Sequence, residues 1–204
     1  MREGLAMDYR NIDCGNRPDP VAFARDWDRT VITAITPLDP LLAAIATSLN
    51  RNHVNGGAAI AQFRVEAAAA VAWVLTRNRL NKLDFFPRFF GNAAVIAALP
   101  EAAEPNDDIG CFEPVSVETS SEQLQACVTR HGAYRLFAGS DKDAARLVRD
   151  AMHAVCGAHF EELTAWVNRG AWSGWFHDIA WDHTFFWFDA RTGVVTVLLI
   201  TDCD

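Results

Sequence analysis

Four aspartates, Asp178, Asp182, Asp202 and Asp204, flank two β-rich runs, residues 182–188 (DHTFFWF) and 194–201 (VVTVLLIT). Between the runs lies Asp189-Ala190-Arg191-Thr192-Gly193, a turn with glycine last, which signals a hairpin. If Phe188 faces Val194, then Phe186 faces Thr196, Thr184 faces Leu198 and Asp182 faces Ile200. Extending the ladder sets Ala180 opposite Asp202 and Asp178 opposite Asp204. Side chains alternate along strands, so the four aspartates then share one face at one end of the hairpin. A slip of one residue changes that grouping. Clustered carboxylates suit three kinds of chemistry. They bind a hard cation such as Mg²⁺, Mn²⁺ or Ca²⁺, for which Asp182, Asp202 and Asp204 are the candidate ligands. They act as an acid–base pair with separated pKa values. They also meet a basic partner. As plain solvated charges they discourage edge pairing. In His177-Asp178 and Asp182-His183 the neighbours point to opposite faces of a strand, which weakens the metal reading unless 176–181 is a loop.

Five of the seven tryptophans, Trp166, Trp172, Trp175, Trp181 and Trp187, lie in this same region. Trp172, Trp175 and Trp181 stand beside the acids, so they join Asp178, Asp182, Asp202 and Asp204 as candidates for contact with a partner. Aromatic anchors among charges are typical of protein interfaces. The same rings serve equally well as core, because both faces of both runs are apolar. That pattern places the hairpin centrally in a sheet covered on both sides.

Other chemistry has no signature. The chain holds no GxSxG, P-loop, HExxH or GxGxxG motif. Cys14, Cys111, Cys127, Cys156 and Cys203 are odd in number and show no CxxC spacing, as expected of reduced thiols. His131, His153 and His159 fall near expected helix C-termini, where a cation suits the dipole. The net charge of −8 argues against nucleic acid, whose phosphates need a basic face. The longest apolar run, residues 67–75, is too short for a membrane span, and the charged N-terminus is not a secretory signal. The expected compartment is the cytoplasm.

The supporting elements divide by charge. Residues 1–100 hold 11 Lys/Arg and 9 Asp/Glu, whereas residues 101–204 hold 7 and 17. Pro100–Asp108, with two prolines and four acids, reads as a connector between a helical subdomain (1–100) and an acidic α+β subdomain (101–204), or as a loop in one compact domain. In the first half, Asp19-Pro20 starts a helix through Phe23, Trp27 and Val31 to Pro37, and Asp39-Pro40 starts a second. Ile60, Phe63, Ala67, Val71 and Val74 suggest a long third helix with Arg64 at its border. Asp84 is a cap for a fourth over 85–99, with Phe85, Phe86, Phe89 and Phe90 as core. In the second half, 111–117 reads as a strand at an edge because of Pro114. Ser120 and Gln123 have capping-box spacing, with Gly132 ending that helix. Residues 133–138 read as a strand, Ser140 and Asp143 as a second capping box, Gly157 as a helix end, and 160–169 as a short helix.

The segment WFHDIAWDHTFFWFDARTGVVTVLLITDCD resembles the C-terminal hairpin of small bacterial proteins with a T-D-x-D tail, here Thr201-Asp202-Cys203-Asp204. Some of those proteins are similar to immunity proteins of polymorphic toxin systems. The resemblance implies a bacterial cytosolic inhibitor that neutralises a toxin by binding it, with no catalytic residues to carry over. The expectation is an α+β fold, its helical N-terminal part packed on a mixed β-sheet that ends in a C-terminal hairpin. The expected function is binding of a protein, such as a basic toxin, without a cofactor. The alternative is a small hydrolase or transferase using Mg²⁺ or Mn²⁺ at the acidic end. The sequence sets no oligomeric state.

Overall fold

The computed structural model describes residues 8–11, 15–101, 103–106, 109, 111–130, 133–134 and 137–204. Its centre is a six-stranded sheet in the order β1-β2-β6-β5-β4-β3. The strands are β1 (Val31–Ala34), β2 (Gly57–Glu66), β3 (Glu113–Val115), β4 (Leu163–Asn168), β5 (His183–Asp189) and β6 (Val194–Thr201). The architecture is α+β. The sheet was expected to be mixed, yet all five pairings are antiparallel. Strands of both halves share it, because β2 pairs with β6 from Gly57↔Thr201 to Arg64↔Val194.

Helices cover both faces of the sheet. One face carries α1 (Pro20–Trp27), α3 (Ala69–Thr76), α4 (Phe85–Phe90) and α5 (Ala93–Ala98). Phe63, Trp166, Phe186, Phe188 and Val197 point to that side, where Phe186 lies 5.2–5.3 Å from the rings of Phe86 and Phe89. The other face carries α2 (Pro40–Asn52), α6 (Val117–Arg130) and α7 (Asp141–Cys156) over Ala165, Phe185, Trp187, Leu198 and Ile200. The hairpin is therefore central and double-covered. Phe85, Phe86, Phe89 and Phe90 are core residues.

Several start and stop signals act as expected. Asp19 accepts from Ala22 N at 2.7 Å, and Asp39 accepts from Leu41 N at 2.8 Å. Ser140 and Asp143 form a reciprocal capping box, and Gly157 ends α7 at φ 63°. Pro114 sits on the edge strand β3, where no ladder needs its missing N–H.

Other elements differ. The first helix stops at Trp27, and Val31 begins β1. The long third helix is instead β2 followed by the shorter α3, and Arg64 lies on β2 opposite Thr33 and Val194. Residues 85–99 break at Gly91 into two helices, and Asp84 adopts a left-handed backbone with no side-chain cap bond. Ser120 lies inside α6; its hydroxyl donates to Val117 O and accepts from Trp187 Nε1, while Ser116 caps Thr119 N. The short helix at 160–169 is one 3₁₀ turn, Phe160–Glu162, followed by β4. Ala133, Tyr134, Phe137 and Ala138 are not in a strand. Cys14, His131, Gly132 and residues 135–136 lie outside the described residues. Among the described residues no helix is long and apolar enough to cross a membrane.

Candidate functional site

The hairpin register is one residue away from the expected one. Phe188 faces Val195 and His183 faces Ile200, because Asp189 belongs to the ladder, opposite Val194. Its carboxylate accepts from Arg191 N (2.9 Å) and Thr192 Oγ1 (2.8 Å), and its carbonyl accepts from Gly193 N (2.9 Å). The aspartate thus folds the turn from within the strand.

That shift separates the acids. Continuing the ladder puts Asp182 opposite Thr201, on the face of Phe186, and Asp202 on the opposite face with Ile200. Both carboxylates are buried. Asp182 accepts from Thr201 Oγ1 (2.6 Å), Ile179 N (3.1 Å) and, at the long limit of 3.5 Å, His177 N. Asp202 accepts from Ala133 N (2.7 Å), Asn55 N (3.0 Å) and Cys203 N (3.1 Å). Each buried charge is satisfied by donors that fasten a loop to the hairpin end, the usual condition for keeping a carboxylate inside.

Asp178 and Asp204 are exposed, Asp178 on a left-handed residue at φ 59°. Trp172 is wholly buried; its Nε1 donates to Thr184 Oγ1 at 2.7 Å and its ring lies 4.5 Å from Phe90. Trp175 and Trp181 are half-buried, Trp175 against Phe176 at 5.1 Å. The surface that remains is the loop 169–182, between β4 and β5, with Trp175, His177, Asp178 and Trp181; exposed Asp204 lies past the end of β6, where Cys203 O accepts from Asn55 Nδ2 at 2.8 Å. Pro105 bridges to Ser173, and Asn106 N donates to Trp172 O at 2.8 Å. Extending the ladder read 178–181 as strand, with a loop at 176–181 as the alternative, and the structure has the loop.

Asp182, Asp202 and Asp204 do not converge as metal ligands. Among the described residues, the group whose ligand atoms lie within 4.8 Å of one another is His159, Glu161 and Glu162. Glu162 is already engaged by Arg10 (3.0 Å) and Arg191 (3.9 Å). The buried thiols offer no nucleophile. Burial pushes Cys127 up to about 12 and Cys156 up to about 11, far from thiolate at neutral pH. No protein-family model, no curated protein and no solved structure matches this chain.

Proposed function

We propose that the chain is a protein-binding module whose contact surface is the loop 169–182, with exposed Asp204 as a further candidate. One observation carries the reading: a 14-residue loop between β4 and β5 is pinned from within by buried Asp182 while it holds Trp175 and Trp181 at the surface. A loop of that length inside a compact domain is usually functional. Holding its backbone in advance lowers the ordering cost of binding. Half-buried tryptophans beside exposed charge suit an interface centre. The excess of acids over residues 101–204 favours a basic partner. The finer reading is a bacterial immunity-type inhibitor acting on a basic toxin.

The test is a parallel pull-down from the cells that make the protein, at low salt. The baits are the full chain, a Trp175→Ala/Trp181→Ala variant and an Asp178→Lys/Asp204→Lys variant. One stoichiometric basic protein, retained by the full chain, lost with both variants and released by salt, is the expected result. Equal retention on all three baits would remove the loop from the interface. An empty eluate from the full chain would count against a protein partner. If the captured protein is a toxin, inhibition of its activity by the purified chain tests the finer reading.

A further inference from the structure

Residues 77–88 run RNRLNKLDFFPR, with four cations and one acid in a chain of net charge −8. The fold brings Arg79 and Lys82 together with Arg17, from the segment before α1, around Trp73 of α3. A pocket of about 270 Å³ opens there, and its described walls are Arg17, Trp73, Arg79 and Lys82. No carboxylate is among those walls. Arg10, Arg25, Arg29, Arg146 and Arg191 each stand within 4.0 Å of an acid. Among the described residues, Arg17, Arg79 and Lys82 have no such partner and no side-chain hydrogen bond.

The backbone carrying these groups is fixed. Trp73 is half-buried and packs on the core. Arg77 N donates to Trp73 O (3.1 Å), Arg79 N to Val74 O (3.0 Å) and Lys82 N to Arg79 O (3.0 Å). Leu80, between the two cations, is wholly buried. Asn78 takes the left-handed turn at φ 51°, a conformation asparagine tolerates, and its Oδ1 accepts from Trp166 Nε1 at 2.6 Å. The turn is thereby tied to β4, and mutual repulsion of its cations is held in place by the core. A site whose groups are positioned in advance binds with less loss of freedom.

We propose that this pocket binds a small phosphorylated ligand bearing a flat ring, of the size of a nucleoside monophosphate. Its phosphate meets Arg17, Arg79 and Lys82, and its ring lies against Trp73. Guanidinium forks match phosphate oxygens in pairs, and lysine adds a point charge. An indole stacks on the π-face of any base. The volume is slightly below the roughly 300 Å³ at which drug-sized sites begin, which suits one nucleotide rather than a dinucleotide. A polyanion is disfavoured by the charge of the rest of the chain. This inference is independent of the loop 169–182.

The experiment is calorimetric titration of the full chain with AMP, GMP, CMP and UMP, alongside adenosine and inorganic phosphate. At least one monophosphate should bind saturably at one per chain, with adenosine and inorganic phosphate each weaker by about tenfold or more. Arg79→Ala/Lys82→Ala, at exposed positions, should weaken that monophosphate by about tenfold or more. Trp73→Leu should weaken the monophosphate and leave inorganic phosphate unchanged. Arg146→Ala/Arg149→Ala, on α7, should alter nothing. The proposal is overturned if none of the four monophosphates binds, if inorganic phosphate binds as tightly as they do, or if the α7 pair weakens binding as much as the pocket pair.

Discussion

Thr201 of β6 donates its hydroxyl to the Asp182 carboxylate at 2.6 Å, closing the end of the hairpin over the loop 169–182. The same carboxylate receives Ile179 N and His177 N. Asp182→Ala strands all three donors, and each unsatisfied buried group costs about 1–3 kcal/mol. A loss on the order of 2–4 kcal/mol is expected in urea unfolding. Thr201→Val removes one bond and should cost about 1 kcal/mol. A loss for Asp182→Ala no larger than that would show the loop to be held by its aromatic packing instead.

Asp26 on α1 caps a different helix. Its carboxylate accepts from Ala70 N, in the first turn of α3, at 3.0 Å, with Arg25 at 3.1 Å and Arg29 at 4.0 Å. The Ala70 amide first, then Arg25 and Arg29, hold its pKa below the ordinary 3.8. A depressed folded-state pKa gives stability that is present above the unfolded value and lost as pH falls through the folded one. Denaturation midpoints should therefore decline below about pH 4. Asp26→Asn should lower stability at neutral pH and flatten that decline. An unchanged slope in the variant would assign the acid sensitivity to other carboxylates, such as Asp143 at the cap of α7.

Gly56 admits no side chain. A Cβ there would lie 2.4 Å from the carbonyl oxygen of Thr201 and 2.9 Å from Asp202 Cα, both backbone. Gly56→Ala must part β2 from β6 at that end, and a cost of about 1–3 kcal/mol is expected from thermal or urea unfolding. A neutral result would mean that the strand end opens freely.

Thiol labelling should separate the cysteines by kinetics. Cys111 is exposed, whereas Cys127 and Cys156 are buried with raised pKa values. Peptide mapping after brief alkylation at neutral pH should find Cys111 modified. Cys127 and Cys156 should be labelled only as the chain unfolds. Rapid labelling of Cys127 would reveal opening of the layer formed by α2, α6 and α7.

Capping chemistry was legible in the sequence at Asp19, Asp39 and Ser140, but not at Asp84, which makes no cap bond, nor at α6, where Ser116 caps instead of Ser120. The hairpin was legible too, apart from one residue of register. Asp189 looks like turn composition, yet its side chain folds back on the turn while its backbone stays in the ladder. That one residue decided the candidate site, because it sent Asp182 and Asp202 to opposite faces. β2 and β4 were hidden for a different reason. With both faces of the sheet covered, apolar residues fall on both parities and the period of two vanishes. In β2 the chance spacing of Ile60 and Phe63 then imitates a helix. The basic pocket was half visible as a run of cations at 77–88, but nothing local links it to Arg17.

β6 follows every other strand in the chain, yet it sits between β2 and β5 in the sheet. During synthesis, β2 must wait for a partner that emerges more than a hundred residues later, and until then one edge of β2 and one of β5 stay open. The pairing from Gly57↔Thr201 to Arg64↔Val194 spans most of the chain, so folding is gated by contacts of large sequence separation. Phe63, Phe185 and Phe186 meanwhile lack their central neighbour, which makes the nascent chain prone to association and a natural client for chaperones until the last strand slots in.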